Sequence, residues 1–134
     1  MKKHDETQQC FACGKQNPIG LQLSFHEEND KYLATFTPKA EYQSYDGILH
    51  GGIISALLDE VMTRYPFYKY GLNTITARLE IRFRRPTPLG IPLTLTGWIV
   101  KVRGKLVDLA GTVSLPDGTV TAEGWARVID AGVT

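Results

Sequence analysis

Only one long stretch of this chain repeats its hydrophobic residues with the period of a helix, while several others repeat with the period of a strand. Across 51–65, Ile54, Leu57, Leu58, Val61 and Tyr65 recur at three- and four-residue spacing, which gathers them on one stripe able to bury itself against a sheet. Pro66 disfavours helical geometry at the residue before it, so the helix is expected to end near Tyr65. Strand patterns lie on both sides. Leu21, Leu23 and Phe25 alternate with Gln22 and Ser24, and Tyr32, Ala34 and Phe36 alternate with Leu33, Thr35 and Thr37 up to Pro38. After the helix, Ile75, Ala77, Leu79, Ile81 and Phe83 alternate without interruption with Thr74, Thr76, Arg78, Glu80 and Arg82. Three more strands are expected at 91–102, at 106–115 and, past the turn Pro116-Asp117-Gly118, from Val120 to Val128.

Two strands, one helix and four strands on short connections imply antiparallel pairing, with the helix covering one face of the sheet. This is an α+β domain. Its 134 residues suit a single core. The first twenty residues read as an arm and a turn-rich loop closing on Asn17-Pro18-Ile19-Gly20, and residues 21–134 read as the domain. Trp98 and Trp125 are candidates for the face away from the helix, where they favour self-association.

Charge removes some partners from consideration. The net charge is +1, so a nucleic acid is not expected as a ligand. No apolar run approaches the roughly 20 residues needed to span a bilayer. Met1 to Gln9 is polar, and a cytoplasmic location away from membranes is the expectation. The positive charges are unevenly spread. Arg78, Arg82, Arg84, Arg85, Lys101, Arg103 and Lys105 share a segment whose single acid is Glu80.

Four groups of residues are candidates for chemistry. His50-Gly51-Gly52 opens the helix, where backbone N–H groups point along the positive end of the helix dipole. Glycines there leave room for a carbonyl oxygen to approach, as in an oxyanion hole, or simply permit a tight entry into the helix. Ser55, Asp59 and Thr63 form a polar stripe at four-residue spacing, away from the apolar one. On the wheel alone Asp59 is an ordinary exposed aspartate, and Glu60 is spaced to pair with Arg64. Tyr65, Phe67, Tyr68 and Tyr70 follow, either lining a substrate tunnel or packing. Cys10 and Cys13 offer two thiols where a structural zinc needs four ligands. His4, His26 or a second chain would have to supply the rest. No metal is therefore expected, and the strand and helix that flank a redox Cys-x-x-Cys are missing. A packing role in the loop remains.

The segment Gly47-Ile48-Leu49-His50-Gly51-Gly52, with Leu57-Leu58-Asp59-Glu60-Val61-Met62 after it, resembles the signature of the hotdog-fold thioesterases. More narrowly it is similar to their phenylacetic-acid-type (PaaI-like) branch. Phe83-Arg84-Arg85-Pro86 followed by Pro88-Leu89-Gly90 fits the same pattern, as do Gly118 and the lead-in Cys10-Phe11-Ala12-Cys13-Gly14. The resemblance covers nearly the whole chain. It implies a hotdog fold, an antiparallel sheet of about six strands wrapped around one long central helix. It also implies a homodimer, paired again as a dimer of dimers, with an acyl-CoA bound between protomers and no cofactor beyond the CoA of the substrate.

Carried across, Gly51 supplies the N–H that polarises the thioester carbonyl, and Asp59 is general base or nucleophile. Thr63 matches a hydroxyl that helps hold water or carboxylate, Thr76 one given across the dimer, and His50 an orienting group. Gly52 and Tyr65 would line the substrate. Relatives carry Asn or Gln six residues before the histidine; here the position is Ser44, with Gln43 beside it, which leaves that water contact in doubt. Arg84, Arg85, Arg103 and Lys105 are candidates for the CoA phosphates, or are solvated strand edges. Two rival readings stand. One is a module that binds acyl-CoA without turnover. The other is a hotdog dehydratase, which would want a differently patterned catalytic histidine.

Overall fold

The computed structural model describes residues 9–132. Six strands form one antiparallel sheet: β1 (His26–Glu28), β2 (Lys31–Phe36), β3 (Thr74–Phe83), β4 (Leu93–Arg103), β5 (Leu106–Ser114) and β6 (Val120–Asp130), in the order β1-β2-β4-β5-β6-β3. The expected hotdog architecture is present: helix α1 (Gly51–Thr63) lies on one face of the sheet. Its stripe Ile54, Leu57, Leu58 and Val61, with Tyr65 just beyond its end, is buried in one core with Leu93, Leu95, Leu109, Val113, Ala126 and Val128.

Four local expectations need correction. Residues 21–25 are not a strand. Leu21 and Leu23 are buried as their alternation implies, but their N–H groups bond to the carbonyls of Phe11 and Ala12 in the preceding loop. The first strand starts at His26 and meets β2 through a two-residue turn, Asn29-Asp30, with φ of 53° and 59°. Both residues types tolerate that left-handed geometry. Pro66 does end α1, yet the chain resumes at once as α2 (Tyr65–Tyr70), because proline's missing N–H costs nothing in a first turn. Gly71, at φ 70°, closes α2. β3 does not pair with β4, the strand that follows it. It lies at the sheet edge beside β6, and 84–92 carries the chain across to β4.

The fourth correction bears on the site. β3 is not one uninterrupted alternation: Thr76 pairs with Val128 and Arg78 with the adjacent Arg127, so Ala77 is an extra residue in a bulge. The bulge shifts the phase of the strand. Thr76 shares the helix side with Leu79, Ile81 and Phe83, whereas Ile75 turns to the outer face and is 57% exposed.

Three glycines on three strands seat the helix. Gly97 pairs with Gly111, and Gly111 with Gly124, making a straight row across the sheet. A Cβ at Gly97 would overlap the Val61 carbonyl, lying 2.9 Å from its carbon. At Gly124 it would meet the Met62 side chain at 3.0 Å, and at Gly111 both that side chain and the Thr96 carbonyl oxygen of the neighbouring strand at 2.9 Å. Met62 is flexible and can yield; the α1 backbone cannot. Gly97→Ala should therefore destabilise the fold by at least about 2 kcal/mol through overpacking, read as a lower urea midpoint. An unchanged midpoint would mean the helix is not held to this trough.

On the outer face Trp98, Ala110 and Trp125 form a row, as expected of the two tryptophans. Arg78 and Arg127 lie over the Trp125 ring at 5.6 and 5.3 Å, and Lys31 over Trp98 at 5.7 Å. Arg127 grips Asp108 with two bonds of 2.7 and 3.0 Å, which holds the Asp108 carboxyl below its ordinary range. Among the described residues no helix is long and apolar enough to cross a membrane.

Candidate active site

The start of α1 is built by its own first residues. His50 adopts an extended backbone (φ −62°, ψ 134°), and its Nδ1 accepts the Gly52 N–H at 2.8 Å. Its carbonyl accepts from Ile53 and Ile54 at 3.0 and 3.1 Å. The pair of glycine amides anticipated from the sequence is thus reduced to one. Gly52 is consumed by the cap, while the Gly51 N–H has no acceptor among the described residues. His50 is a capping residue here, its Nδ1 committed. The ring of Phe83 covers Gly51, standing 3.3 Å from where a Cβ would sit. Any side chain at 51 would meet that ring. Phe83 entered the sequence reading only through the Phe83-Arg84-Arg85-Pro86 segment at the end of β3, and nothing there placed its ring against Gly51.

The loop before the helix is pinned at both sides. His50 N–H donates to the Tyr42 carbonyl and Leu49 N–H to the Thr87 carbonyl, both at 2.8 Å. Gln43 Oε1 accepts from Gly47 N–H at 3.3 Å, and Ser44 N–H donates to the Ile48 carbonyl at 2.8 Å. Both residues shape the loop, and the amide oxygen of Gln43 is turned inward to it.

Two turns along α1, Asp59 is half-buried rather than open to water. The Thr76 hydroxyl lies 3.4 Å from its Oδ1, brought there by the bulge in β3 of the same chain. This contact between Thr76 and Asp59 lies within one chain. Burial raises the Asp59 carboxyl above its ordinary range, and the neighbouring charge of Glu60 adds to this. The hydroxyls of Thr76 and Thr63 offset part of the rise. Ser55, the other member of the polar stripe, donates to the Gly51 carbonyl at 2.9 Å. Gly51 and Asp59 are eight residues apart, so the helix rise separates them by about 12 Å. One chain cannot apply both to the same carbonyl.

A groove of about 310 Å³ opens beside the helix start, lined by Ile48, Ile54, Phe83, Arg84, Arg85 and Thr87 among others. Arg84 is drawn to Glu123 at 2.7 Å, leaving Arg85 as the arginine of this rim without an ion pair among the described residues. Arg103 and Lys105 are elsewhere. Phe83 stands opposite Ala122, and Arg103 opposite Leu106 and thence Ile129. That is seven residues along β6, or roughly 23 Å. The four basic candidates do not converge within one chain. Tyr65 also leaves the substrate-lining set: it is 1% exposed, stacked on Tyr32 at 5.0 Å, with its hydroxyl on Glu27. Lys69 joins Glu27 and Asp30 at 3.0 and 2.9 Å, fastening α2 to the β1–β2 hairpin.

His4 lies outside the described residues, and His26 sits beside Glu28 on β1 at 3.7 Å. Cys13 is fully buried, and Cys10 stands 4.0 Å from Glu60 of α1. Arg64, the expected i,i+4 neighbour of Glu60, donates to the Tyr32 hydroxyl at 3.1 Å and lies over the Phe25 ring at 5.2 Å.

Residues 46–122 match the model of a family described as the thioesterase superfamily. A protein named acyl-coenzyme A thioesterase THEM4 from Bos taurus is 26% identical over 118 residues, covering 86% of this chain and 48% of its own length. Acyl-coenzyme A thioesterase THEM5 from Mus musculus is 31% identical over 68 residues, 51% of this chain and 27% of that one. The chain thus spans less than half of these relatives. Among solved structures, a crystallised thioesterase superfamily protein, RHA08564, superposes with a TM-score of 0.83 at 32% identity, over 96% of this chain and 61% of that one. A hypothetical thioesterase protein from Streptococcus pneumoniae, crystallised with coenzyme A, has the same fold with a TM-score of 0.75 at 18% identity, over 82% and 86% of the two chains.

Proposed function

The chain belongs to the thioesterase superfamily, and from that premise we propose that it hydrolyses an acyl-CoA, or a related acyl thioester, to the free acid and thiol. The observation that carries this reading is Asp59, half-buried on the central helix, held by Thr76, and on the side where the helix-facing residues Leu79 and Phe83 of β3 remain uncovered. A buried carboxylate has reason to be there when it works on a proton or a carbonyl. Asp59 activates the water that attacks the thioester, or attacks directly. The Gly51 N–H, at the positive end of α1, takes the charge that develops on the carbonyl oxygen.

Because these two groups stand about 12 Å apart on one helix, the working site pairs Gly51 of one chain with Asp59 of a second. A homodimer is therefore part of the mechanism. The exposed inner face of β3, with Phe83 54% exposed, supports an interface there. The tryptophan row on the outer face suits a further pairing of dimers. The THEM4 and THEM5 names, and the coenzyme A in the S. pneumoniae crystal, support CoA as the carrier.

Under this reading the groove beside Gly51 receives the thioester end of CoA and Arg85 meets a phosphate; Arg103 and Lys105 act only if the partner brings them near. Arg85→Ala should raise KM several-fold with kcat nearly unchanged, and the difference should shrink at high salt. A change confined to kcat would place Arg85 elsewhere. Thiol release from a panel of acyl-CoAs tests hydrolysis itself. Tight acyl-CoA binding without release would favour the alternative, a binding module.

A further inference from the structure

The loop that leads into β1 carries Cys10 and Cys13 to the flank of α1, against the residue that follows Asp59. We propose that Cys10, Cys13 and Glu60 form a binding site for a zinc-class divalent cation, which fastens this loop to the central helix. Two thiols alone fall short of a zinc site; the fold supplies a third ligand from fifty residues away.

The geometry is close to that of a bound ion. One ligand atom from each of the three side chains lies within 4.8 Å of the others, and Cys10 Sγ is 4.0 Å from Glu60 Oε2. Around a tetrahedral zinc, with bonds of about 2.3 Å to sulfur and 2.0–2.2 Å to oxygen, ligand atoms stand roughly 3.5–3.8 Å apart. Closing that gap takes about 1 Å of side-chain movement. The backbone already holds the thiols in place. Gly14 N–H donates to the Cys10 carbonyl at 2.9 Å, folding Cys-x-x-Cys into a tight turn. Leu21 and Leu23 then fix the loop through Phe11 and Ala12 at 2.7 and 2.9 Å.

Charge also favours the ion. Two thiols and a carboxylate carry one negative charge. A divalent cation that enters and displaces both thiol protons leaves the sum unchanged, so the buried site gains no net charge. Cys10 and Glu60 are half-buried, so the cluster opens toward solvent on one side, where water completes the tetrahedron. Two sulfurs and one carboxylate select zinc over calcium or magnesium, which require oxygen ligands.

The test uses the full chain, reduced, stripped with a chelator and titrated anaerobically with Co²⁺ as the probe. The expected result is a thiolate-to-cobalt charge-transfer band that saturates at one cobalt per chain, is displaced by Zn²⁺, and accompanies a rise in melting temperature. Cys10→Ser, which leaves one thiolate, should cut the band to half or less and weaken cobalt binding. Glu60→Gln should keep it while weakening affinity roughly tenfold or more. Circular dichroism of both metal-free variants serves as the folding control, and Cys10 is chosen over the fully buried Cys13 for that reason. No band in the wild-type chain, a band of undiminished intensity in Cys10→Ser, or unchanged affinity in Glu60→Gln would each overturn the proposal.

Discussion

Replacing Asp59 by Asn is expected to lower thioester turnover by about a hundredfold or more, the usual scale for removing a general base or nucleophile. Asparagine preserves the shape of the side chain and can keep the contact with Thr76. What it cannot do is accept a proton from water or attack a carbonyl. The same substitution removes a charge from a half-buried site, and such a charge is costly unless it is well compensated. Stability should therefore stay level or rise while activity falls. That opposition separates a functional carboxylate from a structural one, because a structural partner of Thr76 would lose stability with little change in rate. Initial rates of thiol release, measured beside urea unfolding of the same preparation, distinguish the two. A variant that retains wild-type turnover would remove Asp59 from the mechanism.

A larger qualitative effect is expected from mixing two inactive chains. Valine at position 51 would crowd the Phe83 ring, which stands 3.3 Å from where its Cβ would sit, and its branched side chain would obstruct a carbonyl approaching the amide, so Gly51→Val should be inactive. Asp59→Asn should be inactive as well. If one site draws Gly51 from one chain and Asp59 from another, a heterodimer of the two variants contains one intact site and one doubly altered site. Chains that associate at random form heterodimers about half the time, so the mixture should recover about a quarter of wild-type activity. Separate tags on the two chains measure how many heterodimers form. Were both groups to serve the same site from a single chain, heterodimers would form and stay inactive. The helix rise argues for recovery: about 12 Å is too far for two groups to act on one carbonyl.

Much of this architecture was legible in the residues. The stripe Ile54, Leu57, Leu58, Val61 and Tyr65 identified the helix, and alternation found β2, β4, β5 and β6, because a buried face repeats at the period of its backbone. Regularity was also the limit of that reading. The bulge at Ala77 inserts one residue without disturbing the visible pattern, yet it decides that Thr76 and not Ile75 faces Asp59. Tyr65 belonged to the helical stripe and to the aromatic cluster at once; its stacking on Tyr32 resolved the ambiguity in favour of the core. The capture of the Gly52 amide by His50 depended on a side-chain rotamer, which no spacing encodes.

By itself, the sequence determined where the chain is helical and where it is extended, and hence that one helix covers an antiparallel sheet. These are local properties, set by side chains a few positions apart. Only the tertiary structure decided which distant residues meet: Gly97, Gly111 and Gly124 in one row beneath the helix, Phe83 over Gly51, and Glu60 beside two cysteines fifty residues earlier. Strand register and the close approach of backbones make those meetings. Both are fixed by the packing of the whole domain, in which each strand's position depends on all its neighbours.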